Sequence, residues 1–189
     1  MHGSALINWL LALLTTAAGA YCLARLRHSP CAAGATPHFG SHRLLARESD
    51  AAEALMGLGM AAMAVTGHAV PATVWALVFG VPAAAFLLAA AHGPARRAHR
   101  LHHAVGASAM TYMALAMTAT SGGHHHHAAD AGAPLLTGTL LLYFGGYSLW
   151  VGARLLHTSS GALAVGTTGL PQACRLTMGI GMFAMLLTM

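Results

Sequence analysis

Charge is scarce in this chain: only 7% of its 189 residues are charged, and lysine is absent altogether. Because about a quarter of the residues in a typical soluble domain are charged, this scarcity excludes an ordinary soluble domain. The 57% hydrophobic content instead indicates a membrane protein. The net charge of +5 comes from nine arginines against four acidic residues, and we ascribe it to membrane topology rather than to a nucleic-acid partner.

Six apolar stretches reach the length of about 20 residues that a membrane-spanning helix needs. They cover residues 4–26, 51–68, 72–92, 101–120, 135–157 and 171–189. The arginines lie in or beside the first, third and fifth connections, so the positive-inside rule predicts that both termini are outside. The sequence thus predicts an all-α integral membrane protein of the plasma membrane. It has three helical hairpins, a cytoplasmic loop at 27–50 and an extracytoplasmic histidine-rich loop at 121–134.

Cysteine is also sparse, with three residues, Cys22, Cys31 and Cys174, all predicted at or near the cytoplasmic face. Thiols stay reduced there, which excludes a structural disulfide. Cys22 and Cys31 are interpreted as small buried or loop thiols. Spans one, three and five are expected to face lipid as leucine-, alanine- and valine-rich helices.

Methionine, in contrast, is abundant, with 11 residues, and apart from Met1 every methionine lies in spans two, four and six. Each of these spans repeats offsets of 4, 3 and 4 residues, which return to one face of a helix. In register, the rungs are Met56/Gly106/Met178, Met60/Met110/Met182, Met63/Met113/Met185 and Gly67/Met117/Met189. We therefore expect helices 2, 4 and 6 to surround a pseudo-threefold axis that is lined by methionine. On a single helix such a stripe is typical of adaptable packing.

Stacked thioethers are neutral, soft ligands, and they suit Cu(I), or Ag(I) as its mimic, better than Zn²⁺, Mg²⁺ or Ca²⁺. Small residues between the methionines would let the helices approach closely. The sequence contains no nucleotide-binding motif to power transport, and no enzymatic activity is expected.

Polar ligands are predicted at both ends of the methionine column. At the cytoplasmic end, the alignment places six residues together as a copper hand-off cluster: Glu53, His99, His102, His103, Cys174 and Arg175. Arg175 is interpreted as an interfacial anchor and Glu53 as its partner. The alternative for the histidines is a polar face that binds lipid phosphate. At the outer end, metal would be collected by the run His124, His125, His126 and His127.

Two resemblances follow from these residues. The segments Met56 to Met63, His102 to Met117 and Cys174 to Met185 resemble an actinobacterial six-helix integral membrane family of unknown function, the DUF5134 type. That resemblance covers nearly the whole chain and implies no activity. The Met-x3-Met spacing is similar to that of eukaryotic high-affinity copper transporters, in which a trimer forms the methionine triads. Only the motif matches, since here a single polypeptide would build the column, and we attribute the likeness to convergence.

The expected function is Cu(I) transport or acquisition across the bacterial plasma membrane, with uptake favoured by the outer histidines. The expected partners are the lipid bilayer, the copper ion, and a copper chaperone or cuproenzyme. One alternative is a membrane protein that binds Cu(I) and delivers it to a cuproenzyme. Further alternatives are a haem-binding redox protein, which the crowding of histidines at the inner interface disfavours, and a scaffold in which the methionines only pack.

Overall fold

The described part of the chain is all-helical. A computed structural model describes residues 2–28, 37–66, 69–93, 97–121, 133–158 and 169–188, and no strand occurs within these ranges. Six helices run through them: α1 (His2–His28), α2 (Pro37–Thr66), α3 (Ala72–His92), α4 (Arg97–Ser121), α5 (Ala133–Thr158) and α6 (Gly169–Leu187). The helices match the six predicted spans in number and order, because an apolar segment that must satisfy its own backbone hydrogen bonds forms a helix.

One boundary differs clearly from the prediction. Helix α2 begins at Pro37, so residues 37–50 of the predicted cytoplasmic loop are helical and not an irregular connector. Proline is favoured in the first turn of a helix, and the leucines, alanines and arginines that follow are good helix formers. The hydropathy of residues 37–50 is too low to extend the predicted span, so the sequence pattern located the apolar part of α2 and missed its polar extension.

Three helices are long and apolar enough to cross a membrane within the described residues. The qualifying segments are Trp9–His28, Ala72–His92 and Pro134–His157, in α1, α3 and α5. Their outward faces are strongly apolar: Leu77 on α3 is 66% exposed, and Leu142 and Leu149 on α5 are 80% and 77% exposed. Side chains of this kind are stable against lipid and costly against water.

The chain divides into two compact units. The first comprises Met1–Val65 and Val151–Gly181, and the second comprises Thr66–Trp150 and Met182–Met189. The first unit therefore holds α1, nearly all of α2, the end of α5 and most of α6. The second holds α3, α4, most of α5 and the last residues of α6.

In the first unit, α1 packs antiparallel to α2 through glycine. A Cβ built on Gly57 would lie 3.0 Å from the carbonyl oxygen of Thr15 and 3.1 Å from the Cα of Gly19. A Cβ on Gly19 would in turn lie 3.0 Å from the backbone nitrogen of Leu58. Such backbone-to-backbone approach is the packing that small residues permit between membrane helices. Helix α1 therefore has a buried face, and the expectation that it is only a lipid-facing helix is wrong.

Helix α6 packs parallel to α2 in the same unit. A Cβ on Gly181 would lie 3.1 Å from Thr15 Cγ2 and 3.7 Å from the sulfur of Met60. About two turns earlier on both helices, Arg175 contacts Glu53. Because Gly181 has no side chain, the Met60 thioether packs directly against α6.

In the second unit, α3 and α4 pack antiparallel along each other. The Arg100 guanidinium donates a 2.9 Å hydrogen bond from Nη1 to the carbonyl oxygen of Ala89. At the other end of the pair, Gly80 faces Thr111, whose side chain would lie 3.8 Å from a Cβ on the glycine. These two contacts fix the antiparallel register of α3 and α4.

Helix α5 packs antiparallel to α4 in this unit. The hydroxyls of Tyr112 and Thr137 share a 2.8 Å hydrogen bond, and the ring of His102 stacks on that of Tyr147 with centroids 4.2 Å apart. These contacts align the middle of α4 with the start of α5, as an up-and-down connection requires.

Candidate functional site

The centre of the first unit is a buried carboxylate. Glu53 on α2 is 3% exposed, and its Oε1 accepts a 2.9 Å hydrogen bond from Arg175 Nε on α6. The Ser49 hydroxyl donates to the same oxygen at 3.2 Å, and Arg175 Nη2 lies 3.4 Å from Ser49 Oγ. A buried carboxylate needs such charge-assisted donors to offset its lost hydration. The pairing of Glu53 with Arg175 that the sequence predicted is confirmed.

Two thiols extend this arrangement. Cys22 on α1 donates from Sγ to Glu53 Oε2 at 3.6 Å, and Cys174 on α6 lies within hydrogen-bonding distance of Cys22. Both thiols are buried, at 1% and 7% exposure, and neither is in a disulfide. We call Cys22, Ser49, Glu53, Cys174 and Arg175 the thiol–carboxylate cluster. It joins three helices through soft sulfur, hard oxygen and one fixed positive charge.

A second ion pair lies one turn earlier on α2. Arg25 Nη1 on α1 is 3.5 Å from Asp50 Oδ1, and the aspartate is 7% exposed. Burial raises the pKa of Asp50, although the positive charge of Arg25 acts in the opposite direction. This pair ties the last turn of α1 to the middle of α2, one turn from the thiol–carboxylate cluster.

The predicted histidines of α4 form a separate aromatic group in the second unit. His103 is 3% exposed, its Nε2 is 3.2 Å from His99 Nε2, and its ring packs on that of Phe86 at 5.5 Å between centroids. His102 Nδ1 shares a 2.8 Å hydrogen bond with the Tyr143 hydroxyl. The structure therefore brings His99, His102 and His103 together with aromatic residues of α3 and α5.

The methionine stripes are largely buried. Met60 and Met63 on α2 are 1% and 2% exposed, and Met110 and Met113 on α4 are 0% and 1% exposed. On α6, Met182 is 2% exposed, Met178 is buried and Met185 is half-buried. Met56 on α2 is buried as well. The predicted faces of the three helices are thus interior faces, while leucine and valine occupy the outer ones.

Some predicted ligands lie beyond the described structure. His124, His125, His126, His127 and Met189 fall outside the described ranges, and Met117 lies on α4 with its side chain outside them. Among the residues that are described, no three His, Cys, Asp or Glu side chains form a group that could hold a metal ion. The predicted hand-off residues appear within the described ranges as two groups: Glu53, Cys174 and Arg175 in one unit, and His99, His102 and His103 in the other.

Sequence reasoning missed Cys22 as part of a site. A signal was available, since Ala12, Thr15, Gly19 and Cys22 follow one another at offsets of 3, 4 and 3 residues and all are buried. Small residues at that spacing indicate a face that packs against another helix. The high overall apolarity of α1 favours lipid contact all round and conceals this face.

A family model described as a domain of unknown function, DUF5134, matches residues 45–189 of the chain. No curated protein and no solved structure matches the chain. The matched region begins within α2 and includes Glu53, Cys174, Arg175 and all the methionine stripes, whereas Cys22 lies before it.

Proposed function

We propose that this chain, which belongs to the DUF5134 family, carries Cu(I) across the plasma membrane along its buried methionines. The observation that carries the proposal is the burial of Met60, Met63, Met110 and Met113, all at 2% exposure or less. Hydrocarbon side chains would serve at least as well for simple packing against lipid-facing helices. Thioethers add a soft donor that needs no deprotonation, which favours monovalent copper.

The order of ligands along α2 supports the same function. Moving from the start of the helix, buried carboxylates at Asp50 and Glu53 are followed by buried thioethers at Met56, Met60 and Met63. An ion moving between weak sites of similar affinity can pass along a series, whereas one deep site would hold it. Several thioethers in succession provide such a series, and no buried charge is needed at mid-membrane depth.

Six membrane crossings with both termini outside are part of this proposal. The antiparallel α1/α2 pairing, the parallel α2/α6 pairing and the antiparallel α3, α4 and α5 are the relations that six successive crossings would produce. Reporter fusions at the two termini are expected to report the outside, and fusions between α1 and α2 the cytoplasm. A cytoplasmic C-terminus would contradict the assigned topology.

The decisive experiment is Cu(I) flux into proteoliposomes that contain a Cu(I) chelator. Replacing Met60 and Met110 with leucine removes two thioethers at nearly constant volume, so the fold should be retained. We expect flux to fall by about tenfold or more, the scale on which changes at metal sites lower affinity. Unchanged flux in this variant would contradict the proposal.

A control with the same number of methionines distinguishes the effect of the buried stripe from the effect of methionine content. The variant Met60→Leu with Leu115→Met keeps the number of methionines but moves one thioether to an exposed position on α4. It should lose flux, whereas Leu115→Met alone should not. Copper binding without any flux in the wild-type protein would instead favour the delivery role, in which Cu(I) is held and passed to a cuproenzyme.

A further inference from the structure

We propose that Cys22 and Cys174 form a two-coordinate Cu(I) site within the thiol–carboxylate cluster. The choice of ion rests on the proposed copper function, while the site itself rests on the geometry of the first unit. It differs from the methionine column in chemistry, because thiols bind Cu(I) as thiolates and hold it more tightly than thioethers do.

The two sulfurs meet the first requirement, which is proximity. They come from helices distant in sequence, α1 and α6, whose contact places Thr15 Cγ2 3.1 Å from a Cβ built on Gly181. Cys22 and Cys174 each lie seven residues from this contact, on the same faces of the two antiparallel helices, and both side chains are buried and in contact. Neither thiol is committed to a disulfide. Packing at Gly19, Gly57 and Gly181 holds α1 and α6 against α2, so the pair sits on fixed elements rather than on a loop.

The donor set selects the metal. Structural Zn²⁺ takes four protein ligands, and Ca²⁺ and Mg²⁺ take oxygen ligands in larger numbers. Cu(I) alone among the common biological metals is satisfied by two sulfurs in a line. The described residues hold no group of three or more His, Cys, Asp and Glu that would suit the other ions. Each thiol loses its proton as its S–Cu bond forms, so one Cu⁺ replaces two protons.

Thioethers lie one turn away from residues of the thiol–carboxylate cluster. Met178 follows Cys174 by four residues on α6, and Met56 follows Glu53 by three on α2, with both methionines 8% exposed. Residues at these offsets share a helix face. Copper bound by the thiols would therefore lie beside the first rung of thioethers, which makes the site a terminus for ions that travel along the methionines.

The test is a Cu(I) titration of the purified, reduced, full-length chain against a chromogenic Cu(I) chelator, without oxygen. The double variant Cys22→Ser with Cys174→Ser should bind one Cu(I) fewer than the wild type. Cys31→Ser is the matched control, since it removes the remaining thiol and should leave the stoichiometry unchanged. Equal binding by the wild type and the double variant would overturn the inference.

A second measurement uses the wild-type chain and does not depend on how the variants fold. The first equivalent of Cu(I) should produce the ultraviolet charge-transfer absorption of a Cu(I) thiolate, which thioethers do not give. No such absorption on the first equivalent would also overturn the site. The double variant Met60→Leu with Met110→Leu distinguishes the site from transport. If it loses flux but still binds the first Cu(I) at the thiols, both the thiol site and transport along the methionines are supported. If its flux is unchanged and the thiols still bind Cu(I), transport is rejected and the thiol site is not.

Discussion

Replacing Arg175 with methionine is expected to lower the free energy of unfolding by about 2 kcal/mol. The change leaves the Glu53 carboxylate buried without its positive partner, and removal of one member of a fully buried ion pair costs about 3–5 kcal/mol. The lower figure applies because the Arg175 side chain is 40% exposed, so water screens the pair from one side. Chemical unfolding in detergent, followed by circular dichroism, measures the effect.

The controls for this prediction compare removal of the positive partner of the ion pair with removal of the negative one. Glu53→Gln should cost less, since the amide oxygen still accepts from Arg175 and no buried charge remains. The double variant Glu53→Gln with Arg175→Met should be more stable than Arg175→Met alone. Arg154→Met is the matched control, because it removes an exposed arginine from α5. An equal loss from Arg154→Met and Arg175→Met would contradict a specific role for the Glu53 pair.

Replacing Gly57 with alanine is expected to destabilise the first unit by about 1–3 kcal/mol, the usual cost of overpacking. The added methyl would lie 3.0 Å from the Thr15 carbonyl oxygen and 3.1 Å from backbone atoms of Gly19. No flexible side chain can move aside there, because the atoms in the way belong to the backbone of α1. Thermal unfolding of the purified chain in detergent should show a lower midpoint.

Gly146→Ala is the matched control for this substitution. Gly146 is also inside a helix, α5, but a Cβ there would have nothing within 4 Å. Alanine has a higher helix propensity than glycine by up to about 1 kcal/mol, so Gly146→Ala should be neutral or stabilising. If both alanine variants behaved alike, close α1/α2 packing would not be the cause of the effect at Gly57.

The sequence was most informative where one chemical property repeats along a helix. Met60, Met63, Met110 and Met113 could be assigned to interior faces because their spacing returns to one side of a helix, and they are buried. The pairing of Glu53 with Arg175 was predictable for a related reason. A charge at the edge of an apolar span needs an opposite charge at the same depth.

Other features could not be predicted because they depend on which helices adjoin. The spacing of small residues on α1 indicates a packed face, but the contacts of Cys22 with Glu53, 31 residues away, and with Cys174 on α6 depend on which helices meet that face. Nothing in the apolarity of α1 distinguishes a face that meets lipid from one that meets a helix, since both are free of charge. The grouping of His102 with Tyr143 and Tyr147 likewise required the α4/α5 alignment.

The close approach of Gly57 to Gly19 also restricts how the molecule can move. Where two backbones touch, no layer of side chains exists that could rearrange as one helix rotates or slides past the other. Helices α1 and α2 are therefore expected to move together as one rigid body. If the proposed Cu(I) path opens by a hinge, that hinge has to lie somewhere other than the contact between these two helices.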